Sequence, residues 1–257
     1  KTNPFTPHEN ENPLLDYGCG TWDFLNAARK KGFSVSGVEP SAIARSYAEQ
    51  LTHQQIYNSI SQTNHEYNAI TLWHVLEHVP DLNEKVEQLK ERLAKNGTMF
   101  IAVPNHRSID AQTYKSEWAG YDVPRHLWHF NRDTMTQLLK GHSLRIEKII
   151  PMKLDAFYVS MLSEKNKNGK NTTKAMLDGF INGLKSNTAS NKGEYSSLIY
   201  IIRKWESLKI STGSSVSSFL FPAPGKALLQ ADLKIPSPQN WSGPYPGKRL
   251  STSKDNR

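Results

Sequence analysis

The sequence contains very little cysteine and no long apolar run, and each shortage excludes a class of protein. Cys19 is the single cysteine among 257 residues, which excludes an intrachain disulfide framework and a zinc site built from several cysteines. No window approaches the roughly 18 apolar residues of a transmembrane helix, and residues 1–4 do not resemble a signal peptide. We therefore expect a soluble, cytoplasmic protein without a membrane span.

Hydrophobic residues are also scarce for this length, at 37% of the chain with a mean hydropathy of −0.61. Part of the chain is therefore expected to lie outside the core. Segment 205–257 holds six of the 14 prolines, ten serines and a net charge of 7 − 3 = +4, half of the total +8. We predict a disordered, basic Pro/Ser-rich tail there, and at 1–12 an extension that, lacking an initial methionine, is expected to be truncated.

The region between these segments alternates between strand-like and helix-like patterns. Strands are predicted at 13–17, 33–38, 56–57, 69–73, 98–103, 144–150 and 197–203, with helices at 23–31, after Ser41, at 82–94 and at 134–140. This alternation predicts an α/β fold with a parallel sheet and helices on its faces. An insertion at 151–194, with predicted helices at 156–164 and 173–184, precedes the last strand.

A glycine loop between the first strand and the first helix predicts a nucleoside site. Gly18 and Gly20 let a ligand approach the main chain, and Glu39 ends the next strand 21 residues after Gly18. That distance matches the roughly 20 residues at which an acid holds the hydroxyls of a ribose.

The charges around this loop discriminate between cofactors. A dinucleotide loop would carry glycine at the position of Asp23, whose carboxylate would instead repel a pyrophosphate. Asp16, just before the loop, suits a cofactor that carries positive charge, as S-adenosylmethionine does on its ammonium and sulfonium groups. The residues therefore favour S-adenosylmethionine over NAD.

Three motifs in order extend this interpretation to a family. LLDYGCGT at 14–21 resembles motif I of the class I S-adenosylmethionine-dependent methyltransferases, and VEPS at 38–41 resembles their second motif. LWHVLEHVPD at 72–81 is similar to the fourth-strand motif of the small-molecule methyltransferases, which include the quinone-biosynthesis O-methyltransferases. The resemblance implies a Rossmann-like seven-stranded sheet whose last strand is antiparallel, in a methyltransferase domain over 13–204.

The resemblance also implies roles for individual residues. Asp16, Gly18, Cys19 and Gly20 would line the methionine end of S-adenosyl-L-methionine, and Glu39 would hold the ribose. The remaining implied cofactor residues are Ser59 and Ile60 near the adenine, and Trp73 and His74 at the sulfur. Trp22 departs from the family, which usually has glycine there. Its indole could crowd the cofactor, or its backbone could need the conformation that glycine tolerates. Alternatively, the side chain could turn outward or pack over the ligand.

Segment 118–130, WAGYDVPRHLWHF, follows the strand ends at which an open α/β sheet binds its ligands. Its aromatic rings and histidines could stack a planar acceptor and remove its proton, or could simply pack against the sheet. His126 is the preferred candidate base, ahead of His74 and His129, for methyl transfer to an oxygen or nitrogen of a small molecule.

Metal and nucleic-acid chemistry are weaker interpretations. His74-Val75-Leu76-Glu77-His78 matches a zinc-peptidase pattern, but Pro80 follows too closely for the continuous helix which that site needs, and His126 with His129 has no evident third ligand. We therefore expect no metal. An RNA methyltransferase contacting phosphate through the basic tail, and a non-catalytic binding module impaired by Trp22, remain the alternatives. The oligomeric state is not predicted.

Overall fold

The computed structural model describes residues 13–52, 54–169, 173–189 and 193–205. The expected extension at 1–12 and all of the expected tail except Trp205 lie outside these residues. Strands occupy β1 (Pro13–Tyr17), β2 (Ser34–Val38), β3 (Ile56–Tyr57), β4 (Tyr67–Trp73), β5 (Leu93–Pro104), β6 (Leu144–Pro151) and β7 (Ser197–Lys204). Helices occupy α1 (Asp23–Lys30), α2 (Ala42–Thr52), α3 (Leu82–Arg92), α4 (Ile109–Tyr114), α5 (Arg132–Gly141), α6 (Asp155–Asn168) and α7 (Thr173–Ala189).

The strands form one seven-stranded sheet in the order β3-β2-β1-β4-β5-β7-β6. The first five strands pair in parallel, whereas β7 lies antiparallel between β5 and β6. The predicted mostly parallel sheet with an antiparallel last strand is therefore confirmed. Among the described residues, no helix combines the length and apolar character needed to cross a membrane.

Side chains that alternate along the strands face two separate cores. Leu15 packs with residues of α3 and α5, such as Val86 and Leu138, whereas its neighbour Leu14 packs with Leu25 of α1 in a smaller cluster. Successive strand residues point to opposite faces, so the helices cover both sides of the sheet. This arrangement leaves the carboxyl ends of β1, β2 and β4 as an open edge between the layers.

One predicted boundary is wrong. Helix α3 was expected to continue to residue 94 and to stop at Asn96-Gly97, but it ends at Arg92 and β5 begins at Leu93. Leu93 is fully buried and pairs with Tyr67, and the register then shifts before Thr98 pairs with Ala69. The extra residues of β5 pass close to the Tyr67 main chain where the register shifts. A Cβ at position 97 would lie 2.9 Å from the Tyr67 carbonyl oxygen, so only glycine is accommodated there.

The insertion forms a hairpin of α6 and α7, longer than the two helices predicted there. The helices pack closely because Gly179 and Gly183 face the main chain of α6, where any Cβ would lie within 2.6 to 2.8 Å of a Cα atom. A buried carboxyl group fixes this hairpin to the domain. Asp110 of α4 accepts hydrogen bonds from Ser186 of α7, from Ser196 before β7 and from the Trp118 indole.

Asp110→Asn is expected to lower the free energy of unfolding by about 3 kcal/mol, because an amide nitrogen would face donors that now meet a carboxyl oxygen. Asp133→Asn is the matched control, since Asp133 is exposed and pairs with exposed Arg107, and it should change stability by no more than about 1 kcal/mol. Urea unfolding measures both variants. Equal midpoints would contradict the anchoring role of Asp110.

Candidate functional site

The glycine loop after β1 is folded back onto the end of β2. The N–H groups of Gly18 and Cys19 donate to the Val38 carbonyl oxygen at 2.7 and 3.1 Å. Gly18 has a φ of +78°, and a Cβ there would lie 2.5 Å from a methyl group of Val75. Both the backbone conformation and the close approach therefore require glycine at position 18.

Glu39 follows β2 directly, and its carboxylate closes the loop from the other side. Its Oε2 accepts the Gly20 N–H at 3.0 Å, and its Oε1 accepts the Ser41 N–H at 2.8 Å. Each oxygen keeps a lone pair for a further donor. The acid therefore sits at the mouth of the loop with both oxygens oriented by the main chain.

A cleft of about 600 Å³ opens between this loop, the end of β4 and the start of α3. Its volume falls within the roughly 300 to 1,000 Å³ of small-molecule and cofactor sites. The cleft is lined by Tyr17, Gly18, Glu39, Pro40, Ser41, His74, Val75, His78, Val79, Pro80, Asp81, Glu84 and Lys85.

Three of the expected cofactor residues, Gly18, Glu39 and His74, line this cleft together. Gly20 is linked to it through its hydrogen bond to Glu39. Ile60 is buried in the main core, and Trp73 stacks edge-on against Phe24, with ring centroids 5.2 Å apart. The remaining expected residues outside its lining are Asp16, Cys19 and Ser59. Sequence reasoning missed the contribution of 79–85, although the motif at 72–81 already extends into it.

Asp16 lies behind the glycine loop, almost fully buried at the end of β1. The Thr71 hydroxyl donates to its Oδ1 at 2.6 Å. Burial raises the pKa of Asp16 to about 7; the Thr71 hydrogen bond opposes this rise, and the nearby charge of Glu39 adds to it. A cation placed next to Asp16 would reverse the effect, because it favours the ionised carboxylate.

The Trp22 indole does not line the cleft. Its side chain is 2% exposed and packs with Leu14, Leu25 and Ile56 on the far side of the loop. The backbone at Trp22 is left-handed, with φ 78° and ψ 3°. The backbone of Trp22 therefore has the conformation that favours glycine, as was expected. The indole does not crowd the cleft, which was the other expected consequence.

His74, at the end of β4, is held between two carboxylates. Its Nδ1 lies 3.3 Å from Glu77 Oε1, and its Nε2 lies 3.8 Å from Asp155 Oδ2 at the start of α6. Burial lowers the pKa of His74, but the Glu77 hydrogen bond and the charges of Asp155 and Glu77 outweigh burial and raise it overall. Nε2 is buried and has no hydrogen-bond partner among the described residues.

The aromatic side chains of segment 118–130 pack into the protein. Phe130 belongs to the main core, and the Trp128 indole donates to the Val79 carbonyl oxygen at 2.7 Å. His126 donates from Nδ1 to the Gly120 carbonyl oxygen at 2.8 Å, and burial lowers the pKa of His126. His129 contacts the Tyr121 carbonyl oxygen through Nε2 at 3.0 Å. Neither histidine lines the cleft.

Residues 74–78 do not form the helix that a zinc peptidase would need. His74 has a φ of 54°, and residues Leu76–His78 form a single 3-10 turn. This turn instead brings His78 against His126, with ring centroids 4.6 Å apart. Sequence reasoning missed this contact, because 48 residues separate the two histidines and no spacing pattern joins them.

Comparison with known proteins agrees with the three motifs. The family model described as "Methyltransferase domain" matches residues 2–149, more than half of the chain. The chain is 30% identical over 102 residues to the ubiquinone biosynthesis O-methyltransferase of Aeromonas salmonicida, covering 36% of this chain and 43% of that protein. The enzyme of that name from Coxiella burnetii is 29% identical over 117 residues, covering 42% and 50%. The matches thus span about half the length of these relatives.

Solved structures share the fold at low sequence identity. A putative sarcosine dimethylglycine methyltransferase from Galdieria sulphuraria aligns with a TM-score of 0.52 at 13% identity, covering 76% of this chain and 78% of that one. The geranyl diphosphate C-methyltransferase of Streptomyces coelicolor, solved with S-adenosyl-L-homocysteine, aligns with a TM-score of 0.52 at 13% identity, covering 76% and 73%. The chain belongs to the methyltransferase domain family, and it shares the fold of these solved methyltransferases.

Proposed function

We propose that this protein transfers the methyl group of S-adenosyl-L-methionine to an oxygen or nitrogen nucleophile of a small-molecule acceptor. The observation that carries the proposal is the shared cleft. It joins the Glu39 carboxylate at the end of β2 to the His74 side chain at the end of β4. The expected ribose acid and a candidate proton acceptor therefore line the same space.

The donor set around the cleft fits the cofactor. Glu39 would accept the ribose hydroxyls, and the main chain at Gly18 and Gly20 would face the methionine end. Asp16 supplies a buried negative charge behind the loop, which suits the positive charge of the cofactor. When bound, S-adenosyl-L-methionine supplies an electrophilic methyl group, and most of the rate enhancement then comes from alignment with the nucleophile.

We propose His74 as the general base, ahead of His126 and His129, because it alone of the three lines the cleft. Glu77 orients the imidazole through Nδ1, so that Nε2 can take the acceptor proton as the acceptor oxygen or nitrogen bonds to the methyl carbon. Asp155, 3.8 Å from Nε2, would stabilise the resulting imidazolium. The α6–α7 insertion, which carries Asp155, would thereby cover the acceptor as a partial lid.

The relatives' names support an acceptor hydroxyl. The matched proteins from Aeromonas salmonicida and Coxiella burnetii are named O-methyltransferases of ubiquinone biosynthesis. A phenolic hydroxyl is acidic enough to give up its proton to a histidine, and its ring would need an apolar wall. Tyr158 on α6, the helix whose Asp155 lies near His74, and Leu127, whose N–H donates to the Glu77 carbonyl, have exposed side chains that would provide this apolar surface.

A labelled-methyl assay against cell extract tests the proposal without assuming the acceptor. Transfer of label from S-adenosyl-L-methionine into a low-molecular-weight fraction is expected. Label found only in RNA would instead support the nucleic-acid alternative, and cofactor binding without any transfer would support the binding module.

Trp22→Gly is expected to lower the free energy of unfolding by about 2–3 kcal/mol. Loss of the buried indole costs about 3–5 kcal/mol. Glycine adopts the left-handed backbone conformation without the strain that a Cβ causes, which offsets about 1–2 kcal/mol of this loss. The cofactor Kd of the folded protein, measured by calorimetry, should stay close to that of the unsubstituted protein. Trp22→Phe, which keeps an aromatic ring, is the control. Markedly tighter cofactor binding by Trp22→Gly would mean that the indole does obstruct the site.

The affinity for S-adenosyl-L-methionine is expected to rise with pH around the pKa of Asp16, which is about 7. Because the cofactor is cationic, it binds the ionised carboxylate, so affinity should rise about eightfold between roughly pH 6 and pH 7.5. The pKa of Asp16 is raised in the folded state, so its contribution to stability is present at acidic pH and is lost as the pH rises through about 7.

Calorimetry at several pH values measures this dependence. Asp16→Asn should bind more weakly at pH 7.5 and should retain only the pH dependence of the cofactor itself. In Glu39→Gln, the rise in cofactor affinity should occur at lower pH, because the negative charge of Glu39 no longer raises the pKa of Asp16. Identical pH profiles for the unsubstituted protein and Asp16→Asn would contradict the role of Asp16.

His74→Ala is expected to lower kcat about 100- to 10,000-fold, the usual cost of losing a general base. The cofactor Kd should change far less, because the proposed ribose and methionine contacts lie in the segments that follow β1 and β2. His65→Ala is the control, since His65 lies outside the cleft lining. The labelled-methyl assay measures kcat, and undiminished turnover in His74→Ala would remove His74 as the base.

A further inference from the structure

Glu77, His78 and His126 place a carboxylate oxygen and two imidazole nitrogens within 4.8 Å of one another. The first two residues lie on the turn after β4, and His126 comes from the loop before α5. This trio takes one histidine from each of the two pairs that the sequence presents, His74 with His78 and His126 with His129. The convergence is therefore a property of the fold rather than of either sequence pattern.

Both imidazole rings are fixed by hydrogen bonds on the same nitrogen. His78 Nδ1 lies 3.0 Å from the Arg125 carbonyl oxygen, and His126 Nδ1 lies 2.8 Å from the Gly120 carbonyl oxygen. Carbonyl oxygens only accept, so each Nδ1 carries the proton and each Nε2 keeps a free lone pair. A backbone carbonyl that holds the second ring nitrogen is the usual arrangement around metal-binding histidines.

The buried carboxylate of Glu77 gives a second reason to expect a ligand at this position. Its side chain is fully buried, and Oε1 contacts His74. Oε2 has no hydrogen-bond partner among the described residues. Burying an unpaired carboxylate oxygen is costly, and a cation placed between Glu77 and the two imidazoles would satisfy it. Asp122, whose Oδ2 lies 3.8 Å from His126 Nε2, adds negative charge beside the trio.

We propose that Glu77, His78 and His126 form a binding site for a divalent transition-metal ion, with Zn²⁺ as its preferred occupant. Two imidazoles and one carboxylate form the three-ligand set of a zinc site with an open fourth position. A tetrahedral ion about 2.1 Å from its ligands holds their atoms about 3.4 Å apart, a spacing that lies within the 4.8 Å limit of the trio. Mg²⁺, which prefers oxygen ligands in octahedral geometry, does not match this set.

The site adjoins the cleft, because His78 is one of the cleft-lining residues. An ion held there would present its open position on the acceptor side, where it would bind and acidify an acceptor oxygen. This catalytic consequence rests on the proposed function. Metal binding itself does not, since it requires neither cofactor nor acceptor.

Titration of the metal-free full chain with Zn²⁺ alone tests the site. Calorimetry should give one bound ion per chain, and the melting temperature should rise with Zn²⁺ but not with Mg²⁺. His78→Ala, His126→Ala and Glu77→Gln should each weaken binding at least about tenfold. His142→Ala is the matched control, because His142 also pairs with a glutamate, Glu87, but belongs to no group of three metal-binding side chains in the described ranges; it should bind like the unsubstituted protein.

Co²⁺ provides a readout that does not depend on the variants. Its visible absorption should report a tetrahedral site in the unsubstituted protein, and Zn²⁺ should displace it. Melting curves in chelator should show that each variant is folded before titration. Failure of the unsubstituted protein to bind Zn²⁺, or equal binding by the trio variants and His142→Ala, would overturn the proposal. Because no cofactor or acceptor is present, either failure would leave the methyl-transfer proposal standing.

Discussion

The register of β1 between β2 and β4 is the constraint on which the whole site depends. Asp16 lies level with Gly37 of β2 and with Thr71 of β4, so the three parallel strands end almost together. Their next residues, Gly18, Glu39 and His74, therefore meet at one edge although 56 residues separate the first from the last. A shift of one residue would turn Asp16 to the other face of the sheet. The site thus follows from strand pairing, which the two hydrophobic cores fix.

Charge burial at this edge is a consequence of the same packing. Asp16 and Glu77 are both almost fully buried carboxyl groups, and within the described part of the chain each has one side-chain hydrogen-bond partner, Thr71 and His74 respectively. Such groups reduce stability unless a ligand compensates them. Their retention beside a cleft is typical of a site that trades stability for the binding of positively charged partners.

The sequence predicts the sheet and the glycine loop well, because both follow from local patterns. Apolar periodicity identifies β1, β4 and β5, and the spacing from Gly18 to Glu39 predicts that these two residues come together, as they do in the cleft. Long-range packing is not predictable in this way. The direction of the Trp22 indole depends on a cluster built from α1, β1 and β3. The aromatics of 118–130 suit an acceptor wall equally well by composition, yet Phe130 lies in the main core.

The turn after β4 also determines where the distant loop lies. The main-chain carbonyl of Glu77 accepts the N–H groups of both Leu127 and Trp128, at 2.8 and 3.2 Å, while its side chain holds His74. One residue thereby ties the strand end to the chain that carries His126. Because Glu77 holds both segments, a displacement of this turn should move them together and leave the distance between His74 and His126 nearly constant.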